Sequence, residues 1–363
     1  MNELAKCEIC GHEEHVLENH INFHGINIEE YIERFPNAPI YSKTANDILI
    51  TMQEKHGKNE RCDFDILKTF KISKKSGGTI GTISGWIKPH ITTPEIDPDY
   101  IFERNLLSDI LFTLSNKNER LLLTGPTGSG KTSAPVQVCA RLNLPVTRFS
   151  CDSDVTRSDF IGQWTLDGNN TKFLYGILPT AMREGRVLIL DEWDTLNPSV
   201  SMLLQPVLED NGKLILSETN EVIETHPDFR IIATSNTVGM GDESGLYNGT
   251  QPQNYAQLNR FTMVEIVNYP AVSVEHKIIT AKTGIEDKEL LNKFTDVATM
   301  IREAFMKGEI MGTMSTRAVV NIAKKFIAFG DIKRTYSLCF TNMLNTDDRA
   351  FVGEVLNRIW GIK

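Results

Sequence analysis

The chain has 363 residues, enough for two or three domains at roughly 150 residues each, and its 40% hydrophobic, 23% charged and 8% aromatic composition excludes disordered, collagenous and fibrous classes. Lys and Arg number 38 against 47 Asp and Glu, a formal charge of −9 that argues against a general polyanion-coating protein and makes any nucleic-acid role depend on a local patch. No apolar run approaches the roughly eighteen residues of a membrane span and the opening Met1 to Cys7 stretch lacks a signal-peptide core, so a cytoplasmic chain with reduced thiols is expected.

The first element, residues 1–43, contains Cys7, Cys10, His20 and His24 as Cys-x2-Cys-x9-His-x3-His. Two thiolates and two imidazoles are the ligand set of a structural tetrahedral Zn²⁺ site, which leaves no open position for catalysis. His12 and His15 are alternative ligands, and the nine-residue spacer is shorter than in common two-Cys two-His fingers. Asn27 with Glu30 three residues later reads as a helix start. Through the run from His24 to Tyr31 the segment resembles the Ros/MucR type of zinc finger, where a short spacer and a helix after the last His are usual. That resemblance implies DNA binding. The segment, however, has three basic and eight acidic side chains, a net −5 that repels phosphates. A protein-docking module is therefore preferred, with a DNA-addressed remodeller as the alternative.

Residues 44–90 carry a net +3 and read as a small helical segment followed by a Gly-, Ser- and Pro-rich linker, with a short hairpin around 80–87 and a domain boundary near residue 90. Lys68, Lys71, Lys74 and Lys75 fit a solvated helix edge and linker better than a nucleic-acid patch. Beyond the linker, short apolar strands at 121–123, 146–149, 187–190, 231–234 and 263–267 alternate with helix-length spacers, which predicts a parallel α/β sheet over a domain spanning 91–270. From about residue 273 the pattern is helical, with expected helices at 273–283, 287–306, 316–329, 331–345 and 347–360 forming a subdomain over 271–363.

The first strand leads into Gly125-Pro126-Thr127-Gly128-Ser129-Gly130-Lys131-Thr132, a full match to G-x-x-x-x-G-K-[ST]. Such glycines turn backbone N–H groups onto phosphates, Lys131 reaches the β and γ phosphates of ATP, and the Thr132 hydroxyl ligates Mg²⁺. The strand 187–190 ends in Asp191-Glu192. Asp191 suits the Mg²⁺ shell and Glu192 the proton of an attacking water, with both motifs expected at the carboxyl ends of neighbouring strands. Asn236, after the strand at 231–235, stands where a third strand would reach the γ phosphate. Pro135 follows the loop closely enough to disturb a helix there.

Residues 91–361, three quarters of the chain, resemble the MoxR-like branch of AAA+ ATPases and, within it, the CobS-type subunits of cobalt chelatase. The resemblance is carried by Glu95-Ile96-Asp97-Pro98-Asp99-Tyr100-Ile101-Phe102, Gly176-Ile177-Leu178-Pro179, the run Asn236 to Asp242, the run Gly245 to Gln251, and Asn259-Arg260-Phe261. It implies a P-loop AAA+ core with a helical lid, assembled as a homo-oligomeric, usually hexameric ring that hydrolyses ATP. Arg260 would be the finger reaching the neighbouring subunit's nucleotide, and Arg317 the sensor of its own. A CobT-like adaptor and a large chelatase subunit are the implied partners. Two hairpin insertions are implied at 163–176 and 213–223. Thr316 stands where relatives usually have Pro, and Asn259 where they usually have Asp.

Overall fold

The computed structural model describes residues 4–14, 17, 20, 21, 24–26, 28–36, 38–42, 60–73, 81–168, 170–241, 247 and 249–361. His15, Asn27, residues 44–59, Lys74, Lys75, Asp242, Gly245, Leu246 and Asn248 lie outside the described residues. Contacts divide the chain into two units, Met1–Arg61 and Cys62–Lys363.

In the first unit, β1 (Ala5–Lys6) pairs antiparallel with β2 (Glu13–Glu14), and α1 (Ile28–Arg34) follows. Its buried apolar side chains among the described residues are Ala5, Cys7, Leu17, Ile21 and Tyr31.

The second unit opens with β3 (Arg61–Asp65), α2 (Ile66–Phe70) and β4 (Thr82–Trp86). The two strands form their own sheet, so β4 finds its partner in β3 and not in a hairpin within 80–87. The boundary expected near residue 90 falls instead at Arg61 and Cys62. Phe70 and Ile83 explain this: both are buried in one cluster with Leu107, Ile110 and Leu121, and that apolar burial outweighs the linker-like Gly and Pro content.

The core continues through α3 (Arg104–Ser115), β5 (Arg120–Thr124), α4 (Ser133–Arg141), β6 (Val146–Ser150) and α5 (Arg157–Ile161). A hairpin of β7 (Gly162–Asp167) and β8 (Asn170–Tyr175) then precedes α6 (Ile177–Glu184), β9 (Val187–Asp191) and α7 (Pro198–Ser201). A second hairpin, β10 (Lys213–Leu216) with β11 (Glu221–Glu224), is followed by β12 (Arg230–Ser235), α8 (Tyr255–Leu258) and β13 (Met263–Ile266). Both hairpins fall where they were expected.

Five strands form a parallel sheet in the order β13-β5-β12-β9-β6. The period of two sorts its side chains onto opposite faces. Leu121, Leu123, Val187, Ile189 and Ile232 pack under α3 and α4, whereas Leu122, Leu188, Leu190, Ile231 and Ala233 pack against α5, α6 and Trp193. One expectation is corrected here. The strands carrying Lys131's loop and Asp191 are not neighbours, because β12, later in sequence, crosses over and pairs with both. Pro135 proves harmless: it precedes the first hydrogen bond within α4, from Val136 N–H to Thr132 O, so no ladder bond is lost.

The remaining helices are α9 (Val272–Thr283), α10 (Lys288–Met306), α11 (Thr316–Phe329), α12 (Ile332–Cys339) and α13 (Thr346–Trp360). Asp287, Ser315, Asp331 and Asn345 accept backbone N–H bonds at the starts of the last four. The helix expected over 331–345 ends early, at Cys339, because Phe340 leaves helical geometry and buries its ring in the lid core. Phe294 is the centre of that core, buried and within 6 Å, ring to ring, of both Phe326 and Trp360. Phe294→Ala is expected to cost about 3–5 kcal/mol, read from the lid's transition in chemical denaturation.

Candidate nucleotide site

The loop from Gly125 to Thr132 joins β5 to α4, and close packing dictates its glycines. A Cβ on Gly125 would lie 2.3 Å from Val267 O, and one on Gly128 2.3 Å from Ser315 Cβ. Both also hold positive φ, at 142° and 75°. Ser129 Oγ is buried in this loop with no partner among the described residues, as befits a cradle shaped for an anion.

Lys131 is 7% exposed, and its Nζ donates to Gly125 O (2.7 Å), Pro126 O (2.9 Å) and Asn236 Oδ1 (3.1 Å). Thr127 Oγ1 also points to Asn236 Oδ1, at 3.4 Å. Burial brings the ammonium down to about 8, although Asp194, Asp191 and Glu192 act in the opposite sense.

Asp191, at the end of β9, gathers side chains from three other strands or loops. Its Oδ1 accepts from Thr132 Oγ1 at 2.5 Å and from Thr234 Oγ1 at 2.8 Å, and its Oδ2 accepts from Arg148 Nη2 at 2.5 Å and Nε at 3.2 Å. Burial pushes this carboxyl up, but the hydrogen bonds from Thr132, Arg148 and Thr234 and the Arg148 charge outweigh it, holding Asp191 below the usual carboxylate range. Thr132 and Asp191 thus offer hard oxygen donors side by side, the kind that Mg²⁺ takes. Glu192 follows in the left-handed region at φ 57°, exposed, with its N–H donating to Thr234 Oγ1 at 3.1 Å. A non-glycine residue there costs about 1–2 kcal/mol, and such strain concentrates at functional positions.

Asp194 has no place in the sequence reading, yet it organises this corner. It is fully buried, and Oδ2 accepts the N–H groups of Asn236 (3.0 Å) and Thr237 (2.9 Å) and the Thr237 hydroxyl (2.8 Å). Its only sequence signal is its place three residues after Asp191. Arg148 and Thr234 gave no signal either, because their contacts exist only through the strand order.

The two arginines are placed apart. Arg317, exposed and without an ion pair among the described residues, lines a cavity of about 690 Å³ together with Gly128, Ser129, Gly130 and Tyr100. Arg260 pairs with Glu209 at 3.0 Å and donates to Ala256 O at 2.7 Å. It precedes β13, and its carbonyl meets Arg120 at the start of β5. Arg260 therefore lies at the opposite ends of the strands from the phosphate loop, about 16 Å of strand away. It does not join the nucleotide loop of its own chain.

In the first unit, the four sulfur and nitrogen atoms of Cys7, Cys10, His20 and His24 lie within 4.8 Å of one another. Cys7 Sγ is 3.6 Å from His24 Nε2, Cys10 Sγ is 3.1 Å from His20 Nε2, and the two imidazole nitrogens are 3.2 Å apart. His12 lies outside this cluster, stacked on the His20 ring.

Comparison with known proteins agrees with this geometry. Residues 120–251 match the model of the AAA domain, dynein-related subfamily, and residues 275–360 that of the CbbQ/NirQ/NorQ C-terminal region. The aerobic cobaltochelatase subunit CobS of a Sinorhizobium species is 38% identical over 289 residues, covering 77% of this chain and 87% of that protein. Protein CbbQ of Hydrogenophilus thermoluteolus is 30% identical over 55% of this chain and 71% of its own, and protein NorQ of Paracoccus denitrificans 30% identical over 63% and 78%. The chain carries a P-loop, a five-stranded parallel sheet and a helical C-terminal part, and it belongs to the CobS/CbbQ/NorQ family of MoxR-like AAA+ ATPases.

Proposed function

We propose that this protein is the motor of a cobalt-chelatase-like assembly, using Mg-ATP hydrolysis to remodel a partner complex that carries out the metal insertion. The observation that carries the ATPase reading is that the phosphate loop meets both Asn236, through Lys131, and Asp191 with Thr234, through Thr132. The client assignment rests on a relative, described as a cobaltochelatase subunit, that this chain matches over 87% of its length.

In this reading the Gly125 to Thr132 backbone and Lys131 hold the phosphates, and Thr132 and Asp191 hold Mg²⁺, which neutralises charge on the transferred group. Glu192 takes the proton of the attacking water as its oxygen bonds to the γ phosphorus and the bond to the ADP oxygen breaks. Asn236, fixed by Asp194, orients that water. Arg317 contacts the chain's own nucleotide. Arg260, too far from its own loop, completes the site of the next subunit in a ring of six.

The two hairpins are the proposed client contacts. Trp164, Leu166 and Leu174 on one and Ile215 and Val222 on the other are more than half exposed. The tip of the second hairpin is tied to the base of the first by Tyr175 Oη to Glu221 at 2.8 Å, and to α6 and α5 by Arg183 to Glu221 and Arg157 to Glu218 at 3.0 Å. In the first unit, Cys7, Cys10, His20 and His24 fit structural Zn²⁺. Bonds of about 2.0–2.3 Å to a tetrahedral ion put ligand atoms about 3.3–3.8 Å apart, close to the spacing seen. The small core among its described residues favours a folding role for the metal, and the unit's acidity favours docking to protein over DNA.

Glu192→Gln is expected to bind ATP and slow its hydrolysis by about 10²–10⁴-fold, and affinity capture with this variant in ATP should retain the partner complex. ATP hydrolysis at the wild-type rate would remove Glu192 from its role.

Lys131 gives a pH dependence. Its free ammonium loses its proton near pH 8, while a bound polyphosphate favours the charged form. Binding above pH 8 must therefore take up a proton, and ATP affinity should be level below about pH 7.5 and weaken by about tenfold per pH unit above pH 8. Calorimetry at pH 8.5 in two buffers of different ionisation enthalpy reads the uptake, which Lys131→Met should abolish.

Metal analysis of the full chain should find one Zn²⁺, lost in Cys10→Ser. Chelation should raise hydrogen exchange across residues 4–42 and leave the ATPase unit's thermal transition in place; a metal-free chain with full protection there would refute the zinc assignment.

A further inference from the structure

Three lid helices meet on one buried ion pair. Glu275, in the first turn of α9, is 0% exposed, and Arg302 of α10 is 8% exposed. Arg302 holds both carboxylate oxygens, Nη1 to Oε2 at 2.9 Å and Nη2 to Oε1 at 2.6 Å, and its Nε donates to Met314 O at 2.7 Å. The third partner is Thr316, the first residue of α11, whose hydroxyl donates to Glu275 Oε1 at 2.9 Å. A buried pair is tolerable only when its remaining donors and acceptors are satisfied, and these bonds do that while pinning the start of α11.

The same group touches the phosphate loop from the other side. The Arg302 guanidinium lies 4.2 Å over the Tyr269 ring, and the Tyr269 hydroxyl meets Thr127 O and Thr313 Oγ1, each at 3.1 Å. Ser315, which caps α11 through Ala318 N–H at 3.2 Å, stands against Gly128. Residues 313–316 are thus held between the loop that cradles phosphate and the ion pair beneath it. The next residue is Arg317, facing the cavity.

We propose that Glu275, Arg302 and Thr316 are positioning residues that hold Arg317 over the phosphate loop, and that Tyr269 passes the state of that loop to the lid through the Thr127 carbonyl. The proposal rests on Arg317 contacting the bound nucleotide. Any shift of Thr127 or Gly128 when nucleotide fills the loop would reach the turn that aims Arg317 through these two contacts. Because the ion pair is rigid, that turn and the lid helices respond together.

The test compares Thr316→Val, Thr316→Ser, Tyr269→Phe and Arg317→Ala by kcat and KM for ATP, by the dissociation rate of a fluorescent ADP, and by the rise in melting temperature that ADP produces. Thr316→Val is nearly isosteric and leaves the ion pair intact. It should weaken ADP binding by about fivefold or more, seen as faster ADP dissociation and a smaller ADP-induced rise, and lower kcat, following Arg317→Ala in kind. Thr316→Ser, which keeps the hydroxyl, should restore all three. Tyr269→Phe keeps the ring under Arg302 and should also speed ADP dissociation, so the idea stays testable if Thr316→Val folds poorly. Wild-type behaviour of Thr316→Val and Tyr269→Phe beside an impaired Arg317→Ala would overturn the positioning role alone. A silent Arg317→Ala would overturn both that role and the reading of Arg317, and failure of Thr316→Ser to recover would show that the hydroxyl is not the cause.

Discussion

One carboxylate organises the catalytic end of the sheet. Asp191 accepts hydrogen bonds from Thr132 at the loop's end, Thr234 on β12 and Arg148 on β6, so four consecutive positions in the sheet order β5-β12-β9-β6 converge on its two oxygens. Parallel pairing makes this convergence available, because it puts the carboxyl ends of all the strands on one edge. A one-residue slip of β12 against β9 would turn Thr234 to the other face and bring Ala233 or Ser235 to its place beside Asp191. The register Ile231 to Leu188 and Ile232 to Ile189 fits particular apolar side chains into the clusters on the two faces, so a slip would disturb that packing as well. Core packing and site geometry are therefore one constraint.

The lid obeys the same logic with an ion pair in place of a sheet. Glu275, Arg302 and Thr316 draw α9, α10 and α11 to one buried point, while Phe294, Phe326 and Trp360 fill the space farther from the nucleotide. Apolar packing alone is tolerant of small rotations between helices. A bidentate Arg–carboxylate pair is directional. It supplies the angular precision that apolar packing lacks, next to the side chain that needs it, Arg317.

How much of this is legible in the sequence depends on the range of the interaction. The phosphate loop and Asp191-Glu192 are local patterns that carry directly into the structure, whereas the two hairpins are legible through the family resemblance. The four-ligand cluster is also local, since its members lie within eighteen residues. The place of β12 between β5 and β9 is not, because a parallel crossover leaves no mark on the strand that it separates. Arg148, Thr234 and Asp194 become site residues only once that order is known. The boundary at Arg61 and Cys62 was hidden for a related reason: glycines and prolines near residue 90 signal turns, but only contacts show which core Phe70 and Ile83 enter.

Thr316 shows how a local departure gains meaning from distant partners. Proline at a first helical position fixes φ and suits a helix start without further support. Threonine gives up that rigidity but brings a hydroxyl, which here ends on Glu275 Oε1, 41 residues away in sequence. The α11 start is thereby fixed to the buried ion pair and, through Arg302 and Tyr269, to the phosphate loop. A proline would hold the first turn rigid in itself but could make no bond to that pair. The exchange substitutes a tertiary restraint for a local one. Such a restraint can be shifted by what happens at the loop, whereas the pyrrolidine ring would respond to nothing outside its own residue.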